Sequence, residues 1–247
     1  MAALPTCLRE WISTGLSFFY PEVCQICRKN RAQPDEGFVC GPCHELVAFI
    51  QLPLCRKCGI PVQGAITGEF ECTNCRQGEL HFDWARSAVA AKGVVLEVIH
   101  RYKYQRELWF EPFLAGLLVR QAVPQLSSKD WDLLVPVPLY PTKERHREFN
   151  QSERLGRCLS RATGIPMDTK LVSRVLPTRT QTRLNPKERR ENMRNAFSMR
   201  KKRELNGERI LLLDDVFTTG ATASACAGAL RAGGASGVCV WTVARAI

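Results

Sequence analysis

The sequence predicts an α/β protein in which helices flank a mostly parallel sheet, preceded by a small cysteine-rich module. Apolar segments of strand and helix length alternate after residue 80, as in βαβ units with right-handed crossovers. Before residue 80, eight of the twelve cysteines form four Cys-x2-Cys pairs. A segment this small has little hydrophobic core and needs a metal to fold. The 247 residues suffice for one ordinary domain and such a module.

Three regions are expected along the chain: an amphipathic helix over 1–20, the cysteine module over 21–80 and the α/β domain over 81–247. Periodicity and turn residues place the elements of the third region. In order they are a strand 84–91, helices 94–102 and 108–123, a strand 132–137, a helix 151–162, a strand 210–215, a helix 221–232 and a strand 237–244.

Hydropathy and charge limit the location and the partners. No apolar run approaches the roughly 20 residues of a membrane-spanning helix. Arg9 and Glu10 interrupt the apolar residues of the N-terminus, which makes it a poor signal peptide. We therefore expect a cytoplasmic protein without a membrane span. The net charge of +11 indicates an anionic partner such as nucleic acid or a phosphorylated ligand, although a basic solvated surface would give the same number.

The four cysteine pairs predict two structural zinc sites. In the cytoplasm cysteines stay reduced, and two Cys-x2-Cys pairs complete a tetrahedral site of four sulfurs. Loops of zinc-ribbon size join consecutive pairs, so we expect two ribbons in sequence. An interleaved arrangement would use the same cysteines, and spacing alone does not choose between the two. The expected ligands are Cys24, Cys27, Cys40 and Cys43, and then Cys55, Cys58, Cys72 and Cys75.

Two adjacent carboxylates mark the candidate ligand site. The apolar run 210–213 is typical of a buried parallel strand, and Asp214 and Asp215 follow it directly. Open α/β sheets bind ligands at the carboxyl ends of their strands. Two neighbouring carboxylates can accept both hydrogens of a vicinal sugar diol.

The residues after these acids suit a phosphate. Threonine hydroxyls donate hydrogen bonds, a glycine lets the backbone approach the ligand closely, and the N-terminus of the next helix attracts an anion. A diol site beside a phosphate site indicates a ribose 5-phosphate group. The residues expected there are Thr218, Thr219, Gly220, Ala221 and Thr222. The alternative is an acidic, threonine-rich corner without a ligand. It is disfavoured because the acids directly follow a buried strand and several phosphate-binding donors follow the acids.

Two basic segments accompany this site. A loop after the strand 132–137 leads to a helix with Asn150 as its predicted N-cap, and beside the acids it could hold a pyrophosphate. Its candidate residues are Arg145, Arg147, Asn150 and Gln151. The second segment, 174–203, carries eleven Lys/Arg residues against two acids. We expect it to be a mobile basic hood over polyphosphate or nucleic-acid backbone, with a solvated charged loop an equal alternative. Its candidate residues are Arg179, Gln181, Arg183 and Arg190.

Taken together, these motifs resemble the ComF family over almost the whole chain. The matching motifs are the four cysteine pairs, Tyr102-Lys-Tyr104, Pro136-Val-Pro-Leu139, Arg147-Glu-Phe-Asn-Gln151, Arg179-Thr-Gln181, Arg190-x-Asn192, Asn195-Ala-Phe197 and the run from Asp214 to Thr222. The last run also resembles the phosphoribosyl-pyrophosphate (PRPP) signature of type I phosphoribosyltransferases. One departure is Glu148, where the family has glycine. An acid there would weaken pyrophosphate binding or change the backbone of the loop.

The resemblance implies a double zinc ribbon joined to a type I phosphoribosyltransferase-like domain. It further implies PRPP as ligand, with magnesium bridging the ribose hydroxyls and the pyrophosphate, and a role with single-stranded DNA and DNA-processing proteins in natural competence. The alternative is an active phosphoribosyltransferase with an unknown acceptor. Purine-type members have Asp where Thr218 stands, so purine salvage is disfavoured. No other segment supplies an obvious nucleobase pocket, although the hood and the residues after Ala244 could contribute to one.

Overall fold

The computed structural model describes residues 22–62, 64, 68–177, 195–200 and 203–247. Four strands form one parallel sheet in the order β1-β6-β5-β2, and β3 pairs with β4 in an antiparallel hairpin. The strands are β1 (Ala85–Ala90), β2 (Leu133–Pro136), β3 (Val172–Arg174), β4 (Phe197–Met199), β5 (Arg209–Phe217) and β6 (Gly237–Arg245). The predicted α/β class with a parallel sheet is confirmed.

Helices cover both faces of the sheet. None of the helices in the described part of the chain is long and apolar enough to cross a membrane. They are α1 (Gly41–Glu45), α2 (Thr73–Gln77), α3 (Gly93–Tyr104), α4 (Glu111–Ala122), α5 (Pro141–Arg147), α6 (Gln151–Thr163) and α7 (Ala221–Ala232), with short 3-10 turns at Pro34–Glu36, Leu108–Phe110 and Val123–Gln125.

The structure differs from the sequence prediction in three places. The segment predicted as a basic loop contains the helix α5, which buries no residue and so lacks an apolar periodicity. The two-stranded sheet of β3 and β4 was not predicted, because strands of three residues are too short for a pattern. It places Arg174 and Phe197–Met199, which belong to the segment expected to be a mobile hood, in strands. Strand β5 continues to Phe217 rather than ending at Asp215, so both acids lie within the strand. The helix predicted over 1–20 lies outside the described residues.

The sheet separates two hydrophobic cores, and each contains one of the cysteine clusters. Leu211, Leu213 and Trp241 pack on the side of α3, α4 and α6, together with the first cluster. Leu212 and Val240 pack on the side of α7, together with the second cluster. The cysteine module therefore straddles the sheet and contributes to the core on both faces. Its division from the α/β domain at residue 80 stays a prediction.

The cysteine module also covers the outer edge of β1. The Ile50 amide donates to the Ala88 carbonyl at 3.1 Å, and the Ala90 amide donates to the Ala48 carbonyl at 2.8 Å. An uncovered strand edge exposes unpaired backbone groups and invites aggregation. The module therefore protects the sheet at the edge opposite β2.

Candidate functional site

Two groups of four cysteines have the geometry of zinc sites. Zn–S bonds of about 2.3 Å in a tetrahedron place the sulfurs about 3.8 Å apart. The distances between Sγ atoms are 3.8 Å for Cys24–Cys43, 3.7 Å for Cys27–Cys40, 3.8 Å for Cys55–Cys75 and 3.7 Å for Cys58–Cys72. The four sulfurs of each group lie within 4.8 Å of one another. The expected pairing in sequence is thus found, and the interleaved arrangement is excluded.

Within each cluster the thiol pKa values move in opposite directions. Desolvation raises the pKa of Cys43, and the hydrogen bond with Cys58 raises that of Cys75, whereas other thiols are shifted toward the thiolate form that zinc requires. Two backbone N–H groups of its own turn lower the pKa of the Cys27 thiol to about 6. At the second cluster, hydrogen bonding from the Cys75 thiol, together with the charge of Arg245, lowers the pKa of Cys58 to about 5. Backbone amides donate to sulfur as well, from Cys40 to Cys24 at 3.4 Å. Each cluster therefore contains at least one thiol whose surroundings favour the thiolate form.

A cavity of about 380 Å³ lies at the carboxyl ends of β2 and β5. Its volume falls within the usual range of small-molecule sites. Among the described residues, four Lys/Arg side chains and two carboxylates line it. These charged groups are Lys103, Lys143, Arg147, Arg174, Asp214 and Asp215. The excess of cations suits a ligand with several negative charges.

The two acids are held in different ways. Asp214 accepts hydrogen bonds at Oδ1 from the Ser152 hydroxyl and from the Asp215 amide, both at 2.9 Å. Asp215 is 5% exposed, accepts at Oδ1 from the Val216 amide at 2.8 Å, and forms an ion pair with Lys103 through Oδ2. A diol that binds here has to exchange with these contacts or add to them.

Burial shifts the pKa values of Lys103 and Asp214 in this cavity. Desolvation lowers the pKa of Lys103 to about 8, although the charge of Asp214 opposes the shift. Desolvation also raises the pKa of Asp214, against the charge of Lys103 and the hydrogen bond from Ser152. Lys103 therefore loses its charge closer to neutral pH than an ordinary lysine does, and desolvation lowers the pKa of Lys143 as well.

The turn after β5 has the geometry of an anion site. Gly220 adopts φ +82°, and a β-carbon there would lie 2.7 Å from Cζ of Phe217, so the position requires glycine. The Thr219 hydroxyl accepts from the Ala221 amide at 3.4 Å, and Thr222 lines the cavity. Helix α7 begins at Ala221 and directs its N-terminus toward this turn. The dipole of a 12-residue helix favours a phosphate there.

The turn residues predicted to bind ligand divide between the cavity wall and its support. Thr218 lines the cavity and is exposed, whereas Thr219 and Ala221 are absent from the lining. Thr219 instead stabilises the start of α7. Thr218, Gly220 and Thr222 thus line the cavity, whereas Thr219 and Ala221 support the turn; ligand binding by these residues stays a prediction.

The segment predicted as the pyrophosphate loop reaches the cavity through two of its four residues. Arg147 and Gln151 line the cavity, and the Arg147 guanidinium donates to Oε1 of Gln151 at 3.0 Å. Asn150 is the predicted N-cap, since its side chain accepts from the Ser152 and Glu153 amides. Arg145 is exposed and lies outside the cavity lining.

The backbone conformation of Glu148 is one that suits the glycine of the family motif at this position. Glu148 ends α5 with φ +68°, a left-handed conformation that glycine adopts without strain. Its carboxylate turns away from the cavity and pairs with Arg106 at 2.7 Å. Glu148 therefore adopts the left-handed conformation in place of glycine, and its carboxylate adds no negative charge to the cavity lining.

Three cavity residues lie in segments that the sequence marked, but none of them was a candidate site residue. Lys103 belongs to the family motif Tyr102-Lys-Tyr104, which gave no role for the lysine, and Arg174 begins the basic hood. Arg174 is 9% exposed and stacks on the Phe197 ring at 5.4 Å, because the unpredicted hairpin brings them together. Lys143 lies on the unpredicted helix α5. The hood residues Arg179, Gln181, Arg183 and Arg190 lie outside the described residues.

Comparison with known proteins agrees with this architecture. Residues 15–77 match the family model of the double zinc ribbon domain. A relative named competence protein F, from Haemophilus influenzae, is 34% identical over 92% of this chain and 99% of its own length. DNA utilization protein YhgH from Salmonella typhimurium is 30% identical, covering 92% and 98%. Competence protein ComFC from Bacillus subtilis is 26% identical, covering 86% of each chain.

Among solved structures, glutamine PRPP amidotransferase from Bacillus subtilis in complex with ADP and GMP is 21% identical, with a TM-score of 0.33. The match covers 51% of this chain and 24% of that chain. A score this low adds nothing to the topology described above. The near-complete sequence match to competence protein F, together with the double zinc ribbon, shows the family: this chain belongs to the competence protein F (ComF) family.

Proposed function

We propose that this protein binds PRPP in the cavity at the carboxyl ends of β2 and β5. The observation that carries the proposal is the placement of Asp214 and Asp215 beside the N-terminus of α7, within a cavity that four cations line. The acids accept the ribose diol, and the turn at Gly220 receives the 5-phosphate. Arg147 and Arg174 face the pyrophosphate, where guanidinium groups bind oxygens in pairs.

Divalent metals have separate roles in this proposal. Among the described residues, the groups of three or more metal-ligating side chains are the two cysteine clusters. Zinc there supplies folding energy to a segment with little core. Magnesium enters with PRPP, bound to the ligand oxygens rather than in a protein cage, because it dehydrates reluctantly.

The cellular role that we propose is the handling of single-stranded DNA in competence. The relatives' names, competence protein F and DNA utilization protein, support it, and so does the net charge of +11. The basic hood over 174–203 is the proposed contact with the DNA backbone, and DNA-processing proteins are the proposed partners. Affinity for an oligonucleotide should then fall steeply as salt rises, whereas a flat response would exclude phosphate contacts as its source.

Calorimetric titration of PRPP with magnesium tests the cavity. We expect wild type to bind and the double variant Asp214→Asn/Asp215→Asn to lose binding, because amides cannot accept the diol as carboxylates do. Asp130→Asn is the control for removing a carboxylate charge outside the cavity, since this exposed acid does not line it. Zinc content should be unchanged in all three proteins. Wild type without PRPP binding would refute the proposal.

Transfer of ribose 5-phosphate to an acceptor is the second candidate function. The diol acids and the phosphate turn line one cavity, which is the arrangement that such a transfer requires. Release of pyrophosphate from PRPP in the presence of candidate acceptors would establish it. Binding of PRPP without release under any acceptor would leave the binding function alone.

A further inference from the structure

Helix α3 presents an exposed stripe to the mouth of the cavity. Leu96, His100 and Tyr104 recur at intervals of four residues, so they share one face of the helix. The fractional exposure is 53% for Leu96 and 58% for Tyr104. Apolar residues of the opposite face, including Val95 and Val98, are fully buried. A helix that already packs one face thus keeps a second, partly aromatic face in contact with the cavity.

The aromatic part of this stripe forms a cluster at the cavity mouth. The rings of His100 and Tyr104 lie 4.9 Å apart between centroids, with their planes tilted by 46°. The guanidinium of Arg147 lies over the Tyr104 ring, 5.2 Å from its centroid. Aromatic rings and arginine planes are the surfaces on which nucleobases stack, regardless of base identity. More than half of Tyr104 stays exposed beside these two groups.

The position of the stripe follows from the rest of the cavity. Lys103, next to Tyr104 in the same helix turn, reaches Asp215. A ribose with its diol on the acids and its 5-phosphate at the turn of Gly220 has only its anomeric carbon left to carry a substituent. Among the described lining residues, the wall apart from those two subsites consists mainly of α3 and the segment from Val137 to Gln151.

We propose that Tyr104 and His100 form a stacking site for a planar nucleobase attached to the ribose, while Arg147, packed over the Tyr104 ring, keeps its role toward the pyrophosphate of PRPP. This inference rests on the proposed function, because it uses the same ribose 5-phosphate site. It assigns a ligand class, a purine or pyrimidine base, to a wall for which the sequence predicted no nucleobase pocket.

Calorimetry with two ligands that differ only in the base tests the assignment. Ribose 5-phosphate occupies the sugar and phosphate subsites, and adenosine 5′-monophosphate adds the base. We expect wild type to bind the nucleotide roughly tenfold more tightly, as expected for one stacked base. In Tyr104→Ala this ratio should fall toward one, and Tyr104→Phe should restore it because the ring is retained. Trp109→Ala is the matched control, since this exposed aromatic lies outside the cavity.

The outcomes separate the two proposals. Equal affinities of wild type for both ligands would overturn the stacking site and leave the ribose phosphate site intact. A ratio that survives in Tyr104→Ala would overturn the assignment of the ring. Absence of binding by both ligands would overturn the site as a whole.

Competition distinguishes two sources of the base. If a 5′-phosphorylated deoxyoligonucleotide displaces the nucleotide from wild type but not from Tyr104→Ala, the result would support the 5′ end of a DNA strand as the source of the base. Failure to displace it would support a free base or nucleotide, since DNA lacks the 2′-hydroxyl that the two acids accept.

Discussion

Arg245, at the end of β6, connects the second cysteine cluster to the turn that borders the cavity. It is 3% exposed, and its guanidinium donates to the Cys58 carbonyl at 2.6 Å and to the Cys58 sulfur at 3.2 Å. The guanidinium also stacks on the Phe217 ring at 4.6 Å from the centroid, and that ring contacts the turn at Gly220. We therefore expect Arg245→Met to weaken zinc binding selectively at the second site.

The magnitude follows from the contacts that the substitution removes. Four thiolates around Zn²⁺ carry a net negative charge, and Arg245 is a buried cation bonded to one of them. A hydrogen bond to a charged group contributes about 2 kcal/mol, which corresponds to roughly 30-fold in affinity. Loss of a partner that bonds to a metal ligand typically costs about 10- to 100-fold. We expect a decrease within that range, confined to one of the two zinc ions.

Competitive titration with a chromophoric zinc chelator measures this decrease. In Arg245→Met, one equivalent of zinc should transfer at lower chelator concentration while the other transfers as in wild type. Arg101→Met is the matched control, because its guanidinium contacts the first ribbon only through the Gln25 carbonyl, at 2.5 Å, and stacks on Phe110. In Arg101→Met, the transfer of both zinc ions should stay closer to wild type than the transfer of the second ion in Arg245→Met.

Two results would refute the reasoning. Unchanged transfer of both ions in Arg245→Met would mean that the contact with the Cys58 sulfur does not stabilise the metal site. Equal weakening of both ions, together with a lower Tm, would mean that the arginine acts through global stability alone. Arg245→Lys gives a further check, since a lysine keeps the charge but cannot make both contacts at once.

Three other predictions follow from the cavity and its loops. PRPP affinity should fall as pH rises above about 8, because Lys103 loses its charge there while the charge of the ligand stays constant. In Lys103→Met, PRPP affinity measured by calorimetry should not change between pH 7 and 9. A fall as steep as that of wild type would contradict this prediction. Glu148→Gly should raise the free energy of unfolding in urea by about 1 kcal/mol, since a left-handed non-glycine residue costs about 1–2 kcal/mol and the exposed pair with Arg106 returns less; Glu148→Ala retains a β-carbon and should give no such gain. Gly220→Ala should reduce PRPP affinity with unchanged zinc content, because alanine is strained at φ +82° and its β-carbon would meet Phe217. Unaltered affinity would show that the turn does not set the phosphate subsite.

Local signals in the sequence account for some elements of this fold and miss others. Asn150 was recognised as an N-cap from the local order of residues, and its side chain makes the expected bonds. The helix 221–232 has the predicted bounds, because the preceding glycine and its small residues are local signals. The helix α5 was missed for an equally local reason, since none of its residues is buried. Strand β5 extends to Phe217 because its neighbour β6 supplies pairing as far as Arg245, which no local pattern records.

What the sequence by itself determined is chemistry written within a few neighbouring residues. The cysteine spacings indicated two sites of four sulfurs, and the two acids before a threonine-glycine turn indicated a ribose phosphate site. Only the tertiary structure decided which distant groups meet these motifs. Lys103 reaches Asp215, and Arg245 reaches Cys58 across 187 positions of sequence. The physical reason is that ion pairs and buried guanidinium contacts depend on where the folded sheet brings side chains together, and a lone lysine or arginine carries no local sign of its partner.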